Sequence, residues 1–230
     1  MRCGLYGKLP SKRDFVAISA PQSFLRVWEP WLQGGLSASR VQLADAWQQA
    51  FLRAPIWRFW LGAEICGGAT VAGAFMPSVD GVGRYFPLTV FALAERPAAI
   101  PPPELDPQDA WYSTAEDFLL SALEQGATFE AVTEALGRLE PPLDHLASRP
   151  PDGVVRLSDG TMAITGAGSE LPLSLAAVRI EDHARAYAAT SVWWTIGGEG
   201  FPPLALVGQR MPDPYLFTAL LTGRLDGVLG

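Results

Sequence analysis

The stretch "TVAGAFMPSVDGVGRYFPLTVFALA", residues 70–94, decides the fold of this chain. At its centre, "PSVDGVGRYFP" at 77–87 is dense in turn-forming and charged residues, yet apolar runs flank it on both sides. Runs that are rich in β-branched and aromatic residues and are separated by glycine-containing turns are typical of antiparallel strands. The stretch therefore predicts two paired strands, and it leaves open whether their turn only connects them or also belongs to a site.

The neighbouring segments extend this sheet. "IWRFWLGAEI" at 56–65 predicts a third strand of an antiparallel meander. Single strands are also predicted at 3–10, 191–197 and 204–209, and a hairpin is predicted at 154–164. Because both alternating faces of the central strands are apolar, helices should cover both sides. Helical spacing and capping residues place those helices at 23–36, 43–54, 108–125, 128–137, 174–189 and 213–223, with a kink or break at Pro30. We therefore predict an α/β fold, a three-layer αβα sandwich with a mixed, partly antiparallel sheet.

Length and composition favour one globular domain. The chain has 230 residues, 49% of them hydrophobic, which is enough for a sizeable core. The proline-rich segment "LEPPLDHLASRPPDG" at 139–153 is the one place where a weak subdivision is conceivable. We predict a single α/β domain over residues 1–230.

Charge and apolar patterning restrict the partners and the location. Twenty-four acidic against seventeen basic residues give a net charge of −7, which argues against binding to nucleic acid or to an anionic membrane surface. No run reaches the ~18 to 20 apolar residues of a membrane span, and the start "MRCGLYGKLPSKRDF" lacks the apolar core of a signal peptide. We expect a cytoplasmic protein without membrane insertion.

The sequence offers no convincing catalytic, metal or cofactor site. Its two histidines, His145 and His183, lie in no recognisable motif, and Ser78 in "MPSVDG" lacks the glycine pattern of a nucleophile elbow. Cys3 and Cys66 form neither a CxxC pair nor a zinc-ligand spacing, and "GGATVAG" lacks the lysine of a phosphate-binding loop. We predict no catalytic residue, no metal and no cofactor.

Two short charged segments are the strongest candidates for a site. One follows the first strand and the other lies in the turn at 77–87, and together they contain Lys8, Arg13, Asp14, Ser78, Asp80 and Arg84. If both lie at the same edge of the sheet, they could converge on a phosphate or on a carboxylate of a partner.

A purely structural role for the same residues is the alternative. In it, Asp80 caps its own turn, Gly81 and Gly83 adopt positive φ, and Arg84 pairs with Asp14 or Asp80.

The adjacent tryptophans Trp193 and Trp194 form a second candidate. Successive residues of a strand point to opposite faces of the sheet, so one of these rings could reach a surface groove. Exposed aromatic rings with a polar surround suit a protein interface. The structural alternative is that both rings belong to the core.

In order along the chain, five motifs resemble one known family. They are "GLYGKLPSKRDFV" at 4–16, "APIWRFWL" at 54–61, "GAFMPSVDGVGRYFPLTV" at 73–90, "SVWWTIGG" at 191–198 and "LFTALLTG" at 216–223. Taken together they resemble the TagF family, also called ImpM, of type VI secretion-associated proteins. The departures from the family pattern are "SKRDF", where Arg-Gly-Asp or Gly-Asp is common, and Pro30 in the first helix.

The resemblance implies a function as well as a fold. It implies a bacterial cytoplasmic protein that is not an enzyme and that represses type VI secretion after translation, by binding the forkhead-associated scaffold protein of the system. It also implies a three-layer αβα fold. The alternative is a small-molecule or phosphate-ester binding protein or enzyme that uses Lys8, Ser78, Asp80 and Arg84.

Overall fold

The structure, a computed structural model, describes residues 1–94, 100–143, 154–159, 161–165 and 171–225. Its strands are β1 Arg2–Gly7, β2 Val16–Ile18, β3 Trp57–Leu61, β4 Thr70–Met76, β5 Leu88–Ala94, β6 Val154–Arg156, β7 Met162–Ile164, β8 Thr190–Thr195 and β9 Leu204–Gln209. Its α-helices are α1 Gln22–Leu43, α2 Trp47–Arg53, α3 Asp109–Ala122, α4 Phe129–Arg138, α5 Leu171–Ala186 and α6 Phe217–Thr222.

Seven strands form one sheet, in the order β2-β1-β5-β4-β3-β8-β9, and β6 pairs with β7 separately as the predicted hairpin. The predicted meander is confirmed as β3-β4-β5. The expectation of a mixed sheet needs correction, because every pairing between described strands is antiparallel. Strands β1 and β8 join the meander from distant parts of the chain, and the direction in which a distant strand enters a sheet is not encoded by its own pattern.

Helices cover both faces of the sheet, so the α/β class and the layered arrangement are confirmed. On one face, α1, α2 and α6 pack on an aromatic core that includes Trp28, Phe59 and Phe91. On the other face, α3 and α4 pack on a more aliphatic core around Leu5, Val90 and Leu119. Apolar side chains on both sides of each central strand account for this double cover.

Pro30 does not split the first helix, since α1 runs continuously from Gln22 to Leu43. The strands of the large sheet come from both sides of the proline-rich segment 139–153, because β8 pairs with β3. Residues 144–153 lie outside the described residues, so a subdivision there stays a prediction.

The antiparallel topology brings three connections to one end of the sheet. Gly7 at the end of β1 pairs with Val16 and with Leu88, which places the loops 8–15 and 77–87 side by side. The registers of β3 with β4 and with β8 place the β8–β9 connection, residues 196–203, at the same end. The predicted meeting of the two charged segments therefore occurs.

Candidate functional site

The two charged loops, 8–15 and 77–87, form one unit that we call the corner. Its centre is a buried ion pair between the Lys8 ammonium group and the Asp80 carboxylate, and the Asp80 side chain is 0% exposed. The Ser78 hydroxyl donates a hydrogen bond of 2.6 Å to the Lys8 carbonyl oxygen. Residues that lie about seventy positions apart in the sequence are thus joined directly.

Asp80 organises the turn that contains it. Its Oδ1 accepts hydrogen bonds from the backbone amides of Val82, at 3.0 Å, and Arg84, at 2.9 Å. Its Oδ2 accepts from the Lys8 ammonium group and from Arg84 Nε, the latter at 2.7 Å. Burial by itself raises the pKa of Asp80, but these hydrogen bonds together outweigh it and hold that pKa well below its ordinary value. Asp80 is therefore ionised and fully engaged inside the corner.

Further contacts join the two loops. The Gly81 amide donates to the Lys12 carbonyl at 2.9 Å, and Arg84 Nη2 donates to the Arg13 carbonyl. Gly81 also approaches the first loop so closely that an added Cβ would lie 2.9 Å from the Pro10 carbonyl oxygen. The corner is therefore one rigid structure rather than two independent loops.

The geometry agrees largely with the alternative in which these residues have a purely structural role. Asp80 caps its own turn, and Arg84 pairs with Asp80 and not with Asp14. Gly83 has the expected positive φ of +86°, whereas Gly81 does not and is needed for close packing instead. The Lys8 ammonium group and the Asp80 carboxylate form an ion pair, so their charges compensate each other inside the fold.

The outer side of the corner is exposed and partly apolar. Phe15 is 46% exposed, although its ring packs on Tyr6 at 5.9 Å and on Phe86 at 4.8 Å between centroids. Val82 is 54% exposed at the tip of the turn. With the exposed side chains of Arg13 and Arg84, these residues form what we call the corner surface: Arg13, Phe15, Val82 and Arg84.

A family model, the TagF N-terminal domain, type VI secretion system-associated, matches residues 4–139, more than half of the chain and the whole of the corner. The chain belongs to the TagF family. The crystal structure of PA0076 from Pseudomonas aeruginosa PAO1 is similar, with a TM-score of 0.76 and 33% sequence identity over 96% of this chain and 94% of that chain. A search of curated proteins finds no match. The predicted resemblance is thereby confirmed, and with it an association with type VI secretion.

The tryptophan pair of this TagF chain is divided between the two cores. Trp193 is fully buried and packs on Trp31, with 4.6 Å between centroids, so it is a core residue and cannot contact a partner. Trp194 is partly buried on the opposite face, where its ring lies 4.8 Å from that of Tyr112. The two rings point to opposite faces as predicted, but neither lies in the corner.

A second buried ion cluster, which we call the brace, was not found from the sequence. Arg58 on β3 binds Glu116 on α3 through two hydrogen bonds of 2.6 and 2.9 Å, and its Nη1 lies 3.3 Å from Asp109 Oδ1. The hydrogen bonds that Arg58 donates to Glu116 raise the pKa of Arg58 further. The sequence did contain one signal for the brace, namely an arginine within an otherwise apolar strand. A buried charge of this kind needs a partner from another element.

Groups suited to metal binding or thiol chemistry are sparse. Over the described ranges, no group of three or more His, Cys, Asp or Glu side chains could hold a metal ion. Burial raises the pKa of Cys3 to about 11 and that of Cys66 to about 12, so both thiols are protonated at neutral pH. His145 and the side chain of His183 lie outside the described part of the chain. No described helix is both long and apolar enough to cross a membrane.

Proposed function

We propose that this chain is a non-enzymatic negative regulator of type VI secretion that binds the forkhead-associated scaffold protein of the system in the cytoplasm. Membership of the TagF family supports the link to secretion. The observation that carries the proposal is the corner surface, which presents an aromatic ring and two arginine side chains on a base held by a buried ion pair. The regulatory role itself follows the resemblance of the sequence motifs to the family.

The corner surface has the properties of a protein-binding site. Phe15 is held in place by Tyr6 and Phe86 while nearly half of it faces solvent, so little side-chain entropy is lost when a partner covers it. Aromatic and arginine side chains are the residues that most often dominate interface energies. Val82 adds an apolar contact next to them.

The alternative, a phosphate-ester site at Lys8, Ser78, Asp80 and Arg84, has less support. The Lys8 ammonium group is buried and paired with Asp80, and the Ser78 hydroxyl already donates to a backbone carbonyl. An anion would therefore have to replace an existing buried ion pair, which is costly. Thermal denaturation with and without inorganic phosphate or nucleotides tests this alternative, since a bound ligand would raise the melting temperature.

Calorimetry with the purified cognate scaffold tests the proposal. Arg13→Glu is the sharpest variant, because the Arg13 side chain is exposed while only its backbone carbonyl takes part in the corner. We expect at least a tenfold weaker affinity, about 1.4 kcal/mol, through charge reversal at the interface. Phe15→Ala should weaken binding by a similar factor through loss of the aromatic contact.

Arg2→Glu is the matched control, since Arg2 is exposed at the opposite end of β1. It should bind like the parent chain. In cells, overproduction of the parent chain should reduce secretion, and overproduction of Arg13→Glu should not. A parent chain that does not bind the scaffold, or an Arg13→Glu variant that binds with unchanged affinity, would contradict the proposal.

A further inference from the structure

The two edge strands of the large sheet differ in how well they are protected. Strand β2, at one edge, has only three residues, and a short edge offers little to a further strand. Strand β9, at the other edge, has six residues, "LALVGQ", with neither a charge nor a proline among them. Among the described strands, β9 pairs with β8 alone. A long, uncharged edge strand is the type to which another strand can add.

Three residues of β9 present their backbone N–H and C=O groups to the free side of the sheet: Ala205, Val207 and Gln209. The Thr190 carbonyl oxygen accepts from the Gly62 amide at 2.9 Å, so Thr190 points toward β3. These directions alternate along a strand, so Trp193, three positions on, points toward β9, where it is paired with Leu206. Leu206 thus points back to β8, and its neighbours point away. All three outward residues are exposed.

The free side of β9 is complementary to itself. In an antiparallel pair of two β9 strands centred on Val207, Val207 faces its own copy and Ala205 faces Gln209. Because each hydrogen-bonded pair exchanges two bonds, the outward residues then make about six hydrogen bonds. The Val207 side chains, each 68% exposed in the single chain, come together on one face of the sheet.

The chain on either side of β9 fixes this register. A shift of the centre by one residue in one direction brings Gln209 opposite Pro203, which has no N–H to donate. A shift in the other direction brings Ala205 opposite Met211, beyond the end of β9 at Gln209. The chain also turns away there, since Arg210 has φ of +62°. The register centred on Val207 therefore pairs every outward residue within β9.

Charges at the two ends of β9 favour the same arrangement. The first charged residue before the strand is Glu199, the first after it is Arg210, and both are exposed. An antiparallel copy places the Arg210 end of one chain beside the Glu199 end of the other, so unlike charges approach each other. A parallel copy would place like charges together.

We propose that the occupant of the β9 edge is a second copy of this chain, and that two chains pair antiparallel through β9 about a two-fold axis at Val207. The pairing joins two seven-stranded sheets into one continuous sheet.

The dimer leaves both corners free. Each corner lies at the Pro203 end of β9, on strands β1, β4 and β5, which lie away from the paired edge. Antiparallel pairing therefore puts the two corner surfaces at opposite ends of the joined sheet. A dimer that carries one scaffold molecule on each copy is a consequence that rests on the proposed function, whereas the dimer itself does not.

Sedimentation velocity of the purified full chain over a wide range of concentrations tests the proposal. The parent chain should show a monomer that converts to a dimer as the concentration rises. Val207→Lys places two like charges face to face across the axis and should weaken dimerisation at least tenfold. Val41→Lys is the matched control, because Val41 is 81% exposed on α1, away from the edge, and it should dimerise like the parent chain.

Cysteine cross-linking tests the register. Residues that form a hydrogen-bonded antiparallel pair have Cα atoms about 5.5 Å apart, which a disulfide can span. Val207→Cys should therefore give a covalent dimer under mild oxidation, and Val41→Cys should not. The native thiols of Cys3 and Cys66 are buried and should not interfere.

The possible results decide between the occupants. A parent chain that stays monomeric at every concentration, or a Val207→Lys variant that dimerises like the parent chain at an unchanged melting temperature, would overturn the proposal. If the parent chain is monomeric but Val207→Lys loses binding to the scaffold, the edge binds a strand of the scaffold and the proposal is wrong. A chain that dimerises through Val207 but does not bind the scaffold would support this proposal and contradict the proposed function.

Discussion

The corner and the brace each bury an ion pair against the same sheet, but they face different surroundings. The brace joins α3 to β3, with the Arg58 and Glu116 side chains largely enclosed. The corner joins two loops at the end of the sheet, and its outer side exposes Phe15 and Val82. The comparison shows that one buried ion pair can be enclosed between a helix and the sheet, while another supports an exposed surface, which in the corner is the proposed binding site.

The two clusters should therefore respond differently to mutation. Loss of the brace should lower stability without changing the affinity of the folded protein for the proposed scaffold partner. Loss of the ion pair in the corner should lower both, because Asp80 fixes the backbone that carries Val82 and Arg84. Three mutational experiments examine this difference, from the largest expected effect to the smallest.

Glu116→Ala should have the largest effect on stability. It leaves the buried Arg58 guanidinium with the largely exposed Asp109 carboxylate, at 3.3 Å, as its remaining partner in the brace, and a buried charge that loses its main partner costs about 3 kcal/mol of unfolding free energy. Urea denaturation measures the loss. Asp109→Ala is the control, since the Asp109 side chain is 71% exposed and should contribute under about 1 kcal/mol. Equal losses in the two variants would show that Glu116 contributes no more to the brace than Asp109 does.

Asp80→Asn should lower the urea midpoint and weaken scaffold binding together. The substitution leaves the Lys8 ammonium group buried without its carboxylate. Arg84→Met should lower the midpoint less, because the Arg84 side chain is about half exposed and Lys8 keeps its partner. An Asp80→Asn variant with lower stability and unchanged affinity would show that the ion pair is not needed to hold the corner surface in a binding conformation.

The pH dependence of stability gives an independent measure of how much the Asp80 carboxylate contributes to the free energy of unfolding. Its pKa is lowered in the folded state, so its contribution is fully present above about pH 5 and is lost as the pH falls through the unfolded value of about 3.9 toward the lower folded value. The stability difference between the parent chain and Asp80→Asn should therefore be constant above about pH 5 and should narrow between about pH 5 and pH 3. A difference that stays constant over this range would contradict the assigned role of Asp80.

Gly83→Ala should have the smallest effect of the three. Gly83 has φ of +86° with nothing within 4 Å of an added Cβ, so backbone strain alone should cost about 1 kcal/mol. Gly137→Ala on α4, also without a neighbour within 4 Å, should stabilise the protein by about 0.5 to 1 kcal/mol. Urea denaturation of both variants should give changes of opposite sign, and a stabilising Gly83→Ala would be inconsistent with the turn.

Much of the corner could be predicted because its signals are local. The apolar runs on either side of 77–87 indicated paired strands, and the turn residues Asp80, Gly83 and Arg84 act within five positions of one another. The brace could not be predicted, since Arg58 and Glu116 lie 58 positions apart and nothing in either segment specifies the other. The burial of Trp193 was equally open, because a strand pattern does not tell which of two apolar faces is completely covered.

The sequence by itself determined most of the elements, though not β2, together with the two-sided cover of the sheet and the family, because apolar periodicity, capping residues and motif order are properties of short segments. Only the tertiary structure decided that every pairing between the described strands is antiparallel and that Lys8 is neutralised by Asp80. It also decided that the β8–β9 connection lies at the same end of the sheet as the corner. These features depend on the direction in which distant strands enter the sheet, which is set by the packing of the whole chain and not by any one segment.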